Sequence, residues 1–205
     1  QFFRIYLPFA ANVASLRIGI DVGAFIEPAE PPAQKPICFY GTSIVHGFSA
    51  RRAGMTLPAL LGRRLAWPTW NLGFSGNARM EPAVAHLLTE LDPVVYVLDC
   101  LPNMTPELVN ERLAPFVRVL RATHPTTPIV LVDNIVYQAT YMLEDKRGGW
   151  GPKNDALLAA FNQLLNEGVR NMYHVPGAFL LGTDGDGTVD GTHPNELGFY
   201  RMADA

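Results

Sequence analysis

Five short β-rich runs, Ile37–Tyr40, Thr69–Leu72, Val94–Leu98, Ile129–Val132 and Met172–Val175, recur along the chain with helix-length segments between them. Short runs without a polar face are strands covered on both sides, and parallel strands of this kind need helical crossovers to cover them. The intervening segments Met55–Leu65, Pro82–Leu91, Pro106–Ala122 and Lys153–Glu167 supply those helices. In the third of them Leu108, Val109, Leu113, Phe116, Val117 and Leu120 recur at helical spacing and line one face. Pro125 ends that helix and Gly168 is the natural stop of the last. The expected fold is α/β, a three-layer α/β/α sandwich around a central parallel sheet.

Ahead of this alternation lie two β-rich runs, Phe2–Pro8 and Ala14–Ile20, separated by Ala10-Ala11-Asn12, which read as a hairpin or as neighbouring strands. A lone hairpin is marginal in water, so this short β segment either packs on the main domain or is part of a truncated small β-domain. Four prolines between Glu27 and Pro36 mark the boundary. The expected division is therefore 1–33, a β-rich segment with its linker, and 34–205, the main α/β domain.

Composition excludes several classes. The 205 residues carry a formal charge of -3, without the clustered Lys and Arg that displace counterions from a polyanion, so nucleic acid is not an expected partner. The uncharged stretch Ile37–Ala50 is broken by Gly41, Thr42, Ser43, His46 and Gly47, and falls short of the roughly 20 apolar residues of a membrane span. Cys38 and Cys100 both sit in apolar runs outside any metal-ligand spacing, and read as two unpaired buried thiols. Gln1 opens the chain without an initiating Met or a basic-then-apolar leader, so a trimmed, secreted or periplasmic form is expected over a cytoplasmic one.

In a parallel sheet the reacting groups belong just after the C-terminal ends of strands, where loops converge. Ser43 follows the first strand, Gly73 the second and Asn103 the third; Asp190 and His193 follow the last. A serine hydroxyl becomes a nucleophile when an imidazole takes its proton, and the imidazole needs a carboxylate to fix its tautomer. Asp190 and His193, three residues apart, fit within one tight turn. The amides of Ser43 and Gly73 and the carboxamide of Asn103 are candidate donors to an oxyanion.

The blocks Gly41-Thr42-Ser43, Asn71-Leu72-Gly73-Phe74-Ser75-Gly76-Asn77, Pro102-Asn103 and Asp190-Gly191-Thr192-His193-Pro194 resemble, in order, the four sequence blocks of the SGNH (GDSL-like) hydrolases. The segment Phe3–Gly23 resembles the small β-domain that precedes the hydrolase domain in one branch of that family. The resemblance implies a flavodoxin-like SGNH fold with Ser43 as nucleophile, His193 as base, Asp190 as its orienter, and Ser43, Gly73 and Asn103 as oxyanion hole. Two positions depart from the family pattern: Thr42 stands where an acidic residue is usual, and Leu101 where a glycine is usual.

Thr42, His46, Tyr141 and Trp150 are candidate substrate contacts, the last two on the long connection Asn134–Pro152. Asp184, Asp186, Thr188 and Asp190 imitate the start of a calcium loop, but Val189 and Asn195 stand where that loop needs Gly and Glu, so no metal is expected. The expected activity is hydrolysis of a short-chain acyl ester through an acyl-serine intermediate, without a cofactor. The partner is a small-molecule or polysaccharide ester, with acetylated carbohydrate preferred. Longer-chain lysophospholipase or thioesterase activity, acyl transfer, and a non-catalytic glycan-binding protein of the same fold are the alternatives.

Overall fold

The structure, a computed structural model, describes residues 3–8, 11–141 and 149–205, with only the backbone at Tyr141. The first strand, β1 (Ile37–Gly41), is buried along its whole length. It is followed by α1 (Ser43–His46), a 3-10 turn at Ala53–Met55, α2 (Leu57–Arg64), β2 (Thr69–Gly73), α3 (Pro82–Thr89) and β3 (Val95–Asp99). After a 3-10 turn at Leu101–Asn103 come α4 (Pro106–Thr123), β4 (Ile129–Val132), a 3-10 turn at Gln138–Tyr141, α5 (Gly151–Asn166), β5 (Met172–Val175) and α6 (Glu196–Met202). All neighbouring strands pair in parallel, in the order β2-β1-β3-β4-β5. The three-layer α/β/α architecture is the one expected.

Alternation along the strands divides the core. Cys38, Tyr40, Tyr96, Leu98, Ile129, Leu131 and Met172 join α3, α4 and α5 in one cluster. On the opposite face Ile37, Phe39, Val97, Val130 and Val132 meet α1, α2 and α6. The longest helix, α4, starts where Thr105 accepts the Leu108 amide at 3.3 Å and Pro106 occupies the first turn, and it buries Val109, Leu113, Phe116, Val117 and Leu120. Cys38 and Cys100 are free thiols, both fully buried.

Two helices were not expected. α1 has four residues, too few to show a period, and α6 follows the Pro194-Asn195 corner, where the Asn195 carboxamide caps it from Gly198 N. The N-terminal hairpin is the other difference. Residues 3–8 and 11–36 carry no strand pairing, and Phe3, Val22 and Phe25 are exposed. Period-two alternation gives a segment a strand's faces but not a partner, and among the described residues no strand takes its backbone hydrogen bonds. The segment touches the α/β domain through Tyr6, whose hydroxyl accepts from Arg63 at 3.1 Å, and Lys35, whose carbonyl accepts from Trp67 Nε1 at 2.8 Å.

Candidate active site

The register aligns three strand ends: Gly41 lies opposite Gly73 on one side and Asp99 on the other. The loops that follow are then stitched together across the sheet edge. Phe74 N donates to Gly41 O at 2.8 Å, Thr42 N to Asp99 O at 3.2 Å, and Asn103 Nδ2 to Asn77 O at 2.6 Å. Gly41 and Gly73 are required by space: a Cβ on Gly41 would lie 2.5 Å from Asp99 O, and one on Gly73 would lie 2.1 Å from His46 N. These contacts let α1 start directly against the strand ends, with Ser43 as its first residue.

Ser43 Oγ is 3.0 Å from His193 Nε2, and His193 Nδ1 is 2.6 Å from Asp190 Oδ2. An ionised carboxylate only accepts, so the imidazole proton resides on Nδ1, and Nε2 is left to accept the Ser43 hydroxyl proton. Asp190 Oδ1 is occupied as well, by the amides of Thr192 at 2.9 Å and His193 at 2.6 Å. Burial pushes the Asp190 carboxyl up, but the His193 amide, its imidazole and the Thr192 amide together outweigh it and hold the group below the ordinary carboxylate range. Asp190 is thus held as the anion that an imidazolium needs beside it. The structure brings these three sequence-predicted residues together.

The loop carrying Asp190 and His193 is clasped at its base. Val189 N donates to His193 O at 2.9 Å, and Thr188 bridges to Pro194. Asn195 Nδ2 reaches Asp186 O at 2.6 Å and Thr188 O at 3.3 Å. Asp184, one of the calcium-like carboxylates, is engaged by Arg201 at 2.6 and 2.7 Å, which holds its carboxyl at about 2. A further clamp was not legible in the sequence: Thr188 Oγ1 donates to Gln138 Oε1 at 3.0 Å and accepts the Gly191 amide at 3.1 Å. Ala139 N holds the Gly191 carbonyl at 3.2 Å.

The expected oxyanion donors are brought to the same edge in different states. As the first residue of α1, Ser43 has an amide that the helix itself cannot satisfy. Asn103 Nδ2 uses one hydrogen on Asn77 O and retains another. The Gly73 amide, by contrast, donates to Asn71 Oδ1 at 3.0 Å. It reaches a developing oxyanion only by sharing its hydrogen or after Asn71 turns aside.

The expected substrate contacts fare unevenly. Thr42 is fully buried and caps α1 by accepting the Ile44 amide at 3.3 Å, so it serves the turn and not a substrate. His46 is half-buried at the end of α1, with its main chain against Gly73. Trp150 is half-buried and packs against the cluster that includes Ile44, Val132, Ile135 and Phe199, so part of its ring anchors the long connection to the core. The side chain of Tyr141 and residues 142–148 lie outside the described residues. Phe48, which the sequence reading did not single out, lies against the His193 ring, centre to centre 5.2 Å.

A parallel-stranded fold with a serine after its first strand and an aspartate and a histidine, in that order, after its last defines a class, and comparison places the chain in it. The chain belongs to the GDSL-like Lipase/Acylhydrolase family, whose model matches residues 34–205. It is similar to a Bacteroides ovatus ATCC 8483 protein described as a GDSL-like lipase, with 40% identity and a TM-score of 0.82 over 85% of this chain and 52% of that one. The salicylyl-acyltransferase SsfX3 from a tetracycline biosynthetic pathway shares the fold at 22% identity and a TM-score of 0.74, over 85% of this chain and 53% of that one. So does a family two carbohydrate esterase from Clostridium thermocellum, solved with cellohexaose, at 16% identity and a TM-score of 0.69, over 87% of this chain and 64% of that one. The chain thus spans about half the length of the first two. No curated protein matches it. Among the described residues no helix is long and apolar enough to cross a membrane.

Proposed function

We propose that residues 34–205 form a serine esterase unit that removes short acyl groups, acetyl above all, from carbohydrate. The observation that carries this reading is the continuous relay Ser43 Oγ, His193 Nε2, His193 Nδ1, Asp190 Oδ2, at 3.0 and 2.6 Å. In the first half-reaction the Ser43 oxygen bonds to the acyl carbon while its proton passes to Nε2. The carbon–alcohol bond then breaks, and His193 returns that proton to the alcohol oxygen. In the second half, water gives a proton to His193, bonds to the acyl carbon and displaces Ser43, which recovers its proton. The amide of Ser43 and the carboxamide of Asn103, with Gly73 as a third donor, stabilise the oxyanion in both halves, at about 2.7–4 kcal/mol per donor.

Support for a carbohydrate alcohol comes from likeness: structures of the same fold include a carbohydrate esterase with bound cellohexaose and an esterase described as active on acetylated mannans. The test is release of acetate from acetylated xylan and mannan, beside a p-nitrophenyl panel from acetyl to octanoyl, for wild type and Ser43→Ala. Acetate release that disappears in Ser43→Ala is the expected result. Hydrolysis that persists in the variant removes Ser43 from the mechanism. A preference for octanoyl over acetyl esters replaces the short-acyl reading with a long-chain one.

A further inference from the structure

α1 closes in a Schellman motif that ties Phe48 to the nucleophile. Gly47, at φ 87°, donates to Ile44 O at 3.1 Å, and Phe48 N donates to Ser43 O at 3.0 Å. Only glycine fits at 47, because the backbone is left-handed and a Cβ would lie 2.1 Å from Thr56 Cγ2. In such motifs the side chain in Phe48's position commonly packs on the residue whose carbonyl it closes upon. Here that residue is Ser43, which offers no apolar surface. The phenyl ring instead lies on the His193 imidazole, with ring centres 5.2 Å apart and planes at 50°, and it is 59% exposed. The next residue secures it from the other side, Ser49 Oγ donating to Pro194 O at 2.9 Å. A largely uncovered aromatic face is therefore fixed by backbone to Ser43 and by contact to His193.

Chemistry says which part of a substrate meets that face. The acyl oxygen must point toward the amide of Ser43 and the carboxamide of Asn103. The leaving alcohol must lie within hydrogen-bond reach of His193 Nε2, since that atom returns the proton as the carbon–oxygen bond breaks. The alcohol, and not the acyl chain, thus passes beside the ring that packs on His193.

We propose that Phe48 is the platform of the alcohol subsite, selecting an ester whose alcohol presents a flat C–H face, as a pyranose ring does. This rests on the Ser43–His193 reading. The test compares kcat/KM for glucose pentaacetate, p-nitrophenyl acetate and ethyl acetate, whose alcohol has no ring to stack, in wild type, Phe48→Ala, Phe48→Leu, Phe48→Trp and Ser43→Ala. Phe48→Ala is expected to lower the ratio of glucose pentaacetate to ethyl acetate by roughly tenfold, the size of effect that loss of one apolar contact surface has on discrimination. The change resides in KM, is shared by Phe48→Leu and is reversed in Phe48→Trp. A ratio within twofold of wild type in Phe48→Ala overturns the proposal, as does a loss confined to p-nitrophenyl acetate. A joint loss on both ring esters supports it. If ethyl acetate is still hydrolysed by Ser43→Ala, the nucleophile assignment fails instead, and the two failures stay distinct.

Discussion

Gln138 and Thr188, fifty residues apart, meet in a 3.0 Å hydrogen bond, and through it the turn after β4 holds the loop that carries Asp190 and His193. The Thr188 hydroxyl has one proton, which it gives to Gln138, and a lone pair that receives the Gly191 amide at 3.1 Å. Gly191 adjoins Asp190, has φ 80°, and packs so closely on Ala139 that a Cβ would lie 2.3 Å from the Ala139 Cβ. The acid–base pair thus takes its position from a segment that does not touch the reacting atoms.

Thr188→Val keeps the shape and removes both hydrogen bonds. It is expected to reduce kcat by about tenfold with KM nearly unchanged, since a small displacement of a catalytic group costs rate before it costs binding. Gln138→Ala should do the same, Gln138→Glu, which retains the acceptor, should recover most of the rate, and the double variant with Thr188→Val should be no worse than Thr188→Val alone. Steady-state kinetics of the four variants decide it: additive losses would mean that the two side chains act separately.

Beneath the Ser43 turn lies a second polar group with a consequence for stability. Asp99 is 3% exposed, one of its carboxyl oxygens is buried with no partner among the described residues, and its burial raises the carboxyl from 3.8 to about 7. Between these values the folded chain keeps a proton that the unfolded chain releases, so stability is fullest below 3.8 and declines as pH rises through about 7. The full difference is on the order of 4 kcal/mol. Asp99→Asn removes the charge at nearly constant volume. It is expected to raise Tm relative to wild type at pH 8 and to give little or no gain at pH 4. Thermal unfolding at both values tests this, and an equal Tm difference at the two would contradict the buried-carboxyl account.

Much of this molecule was legible because its local and tertiary signals coincide. β1, β3 and β4 are apolar on both faces, as covered parallel strands must be, and Leu113, Phe116, Val117 and Leu120 of α4 all face the core that their spacing predicts. Ser43, Asp190 and His193 were legible because each follows a strand and the blocks keep their order. What the sequence hid depends on partners distant along the chain. Alternation in Phe3, Ile5 and Leu7 does not reveal that no strand among the described residues pairs with the segment, and nothing in Trp150 announces that it packs against the core cluster containing Ile135 and Phe199. Thr42 carried the information for a helix cap, but α1 is too short to be read as the helix it caps.

The oxyanion donors give the last prediction, because two asparagines hold opposite relations to them. Asn103 offers a free N–H and Asn71 occupies one, taking the Gly73 amide at 3.0 Å. Asn103→Ala removes a donor aimed at developing charge and is expected to lower kcat by about 10²–10³ with a small effect on KM. Asn71→Ala should act differently: the Gly73 amide loses its resting partner and becomes available to the oxyanion, but it also loses the contact that orients it. If the amide is already well aimed by the tight packing of Gly73 on His46, release dominates and kcat rises by a few fold. The nearest neighbours of Gly73 are the backbone N and Cα of His46, which cannot swing aside as a side-chain end would, so the rise is the expected outcome. Comparing kcat for Asn71→Ala and Asn103→Ala on one acetyl ester checks it, and a fall of tenfold or more in Asn71→Ala would show that the carboxamide aims the amide instead of competing for it.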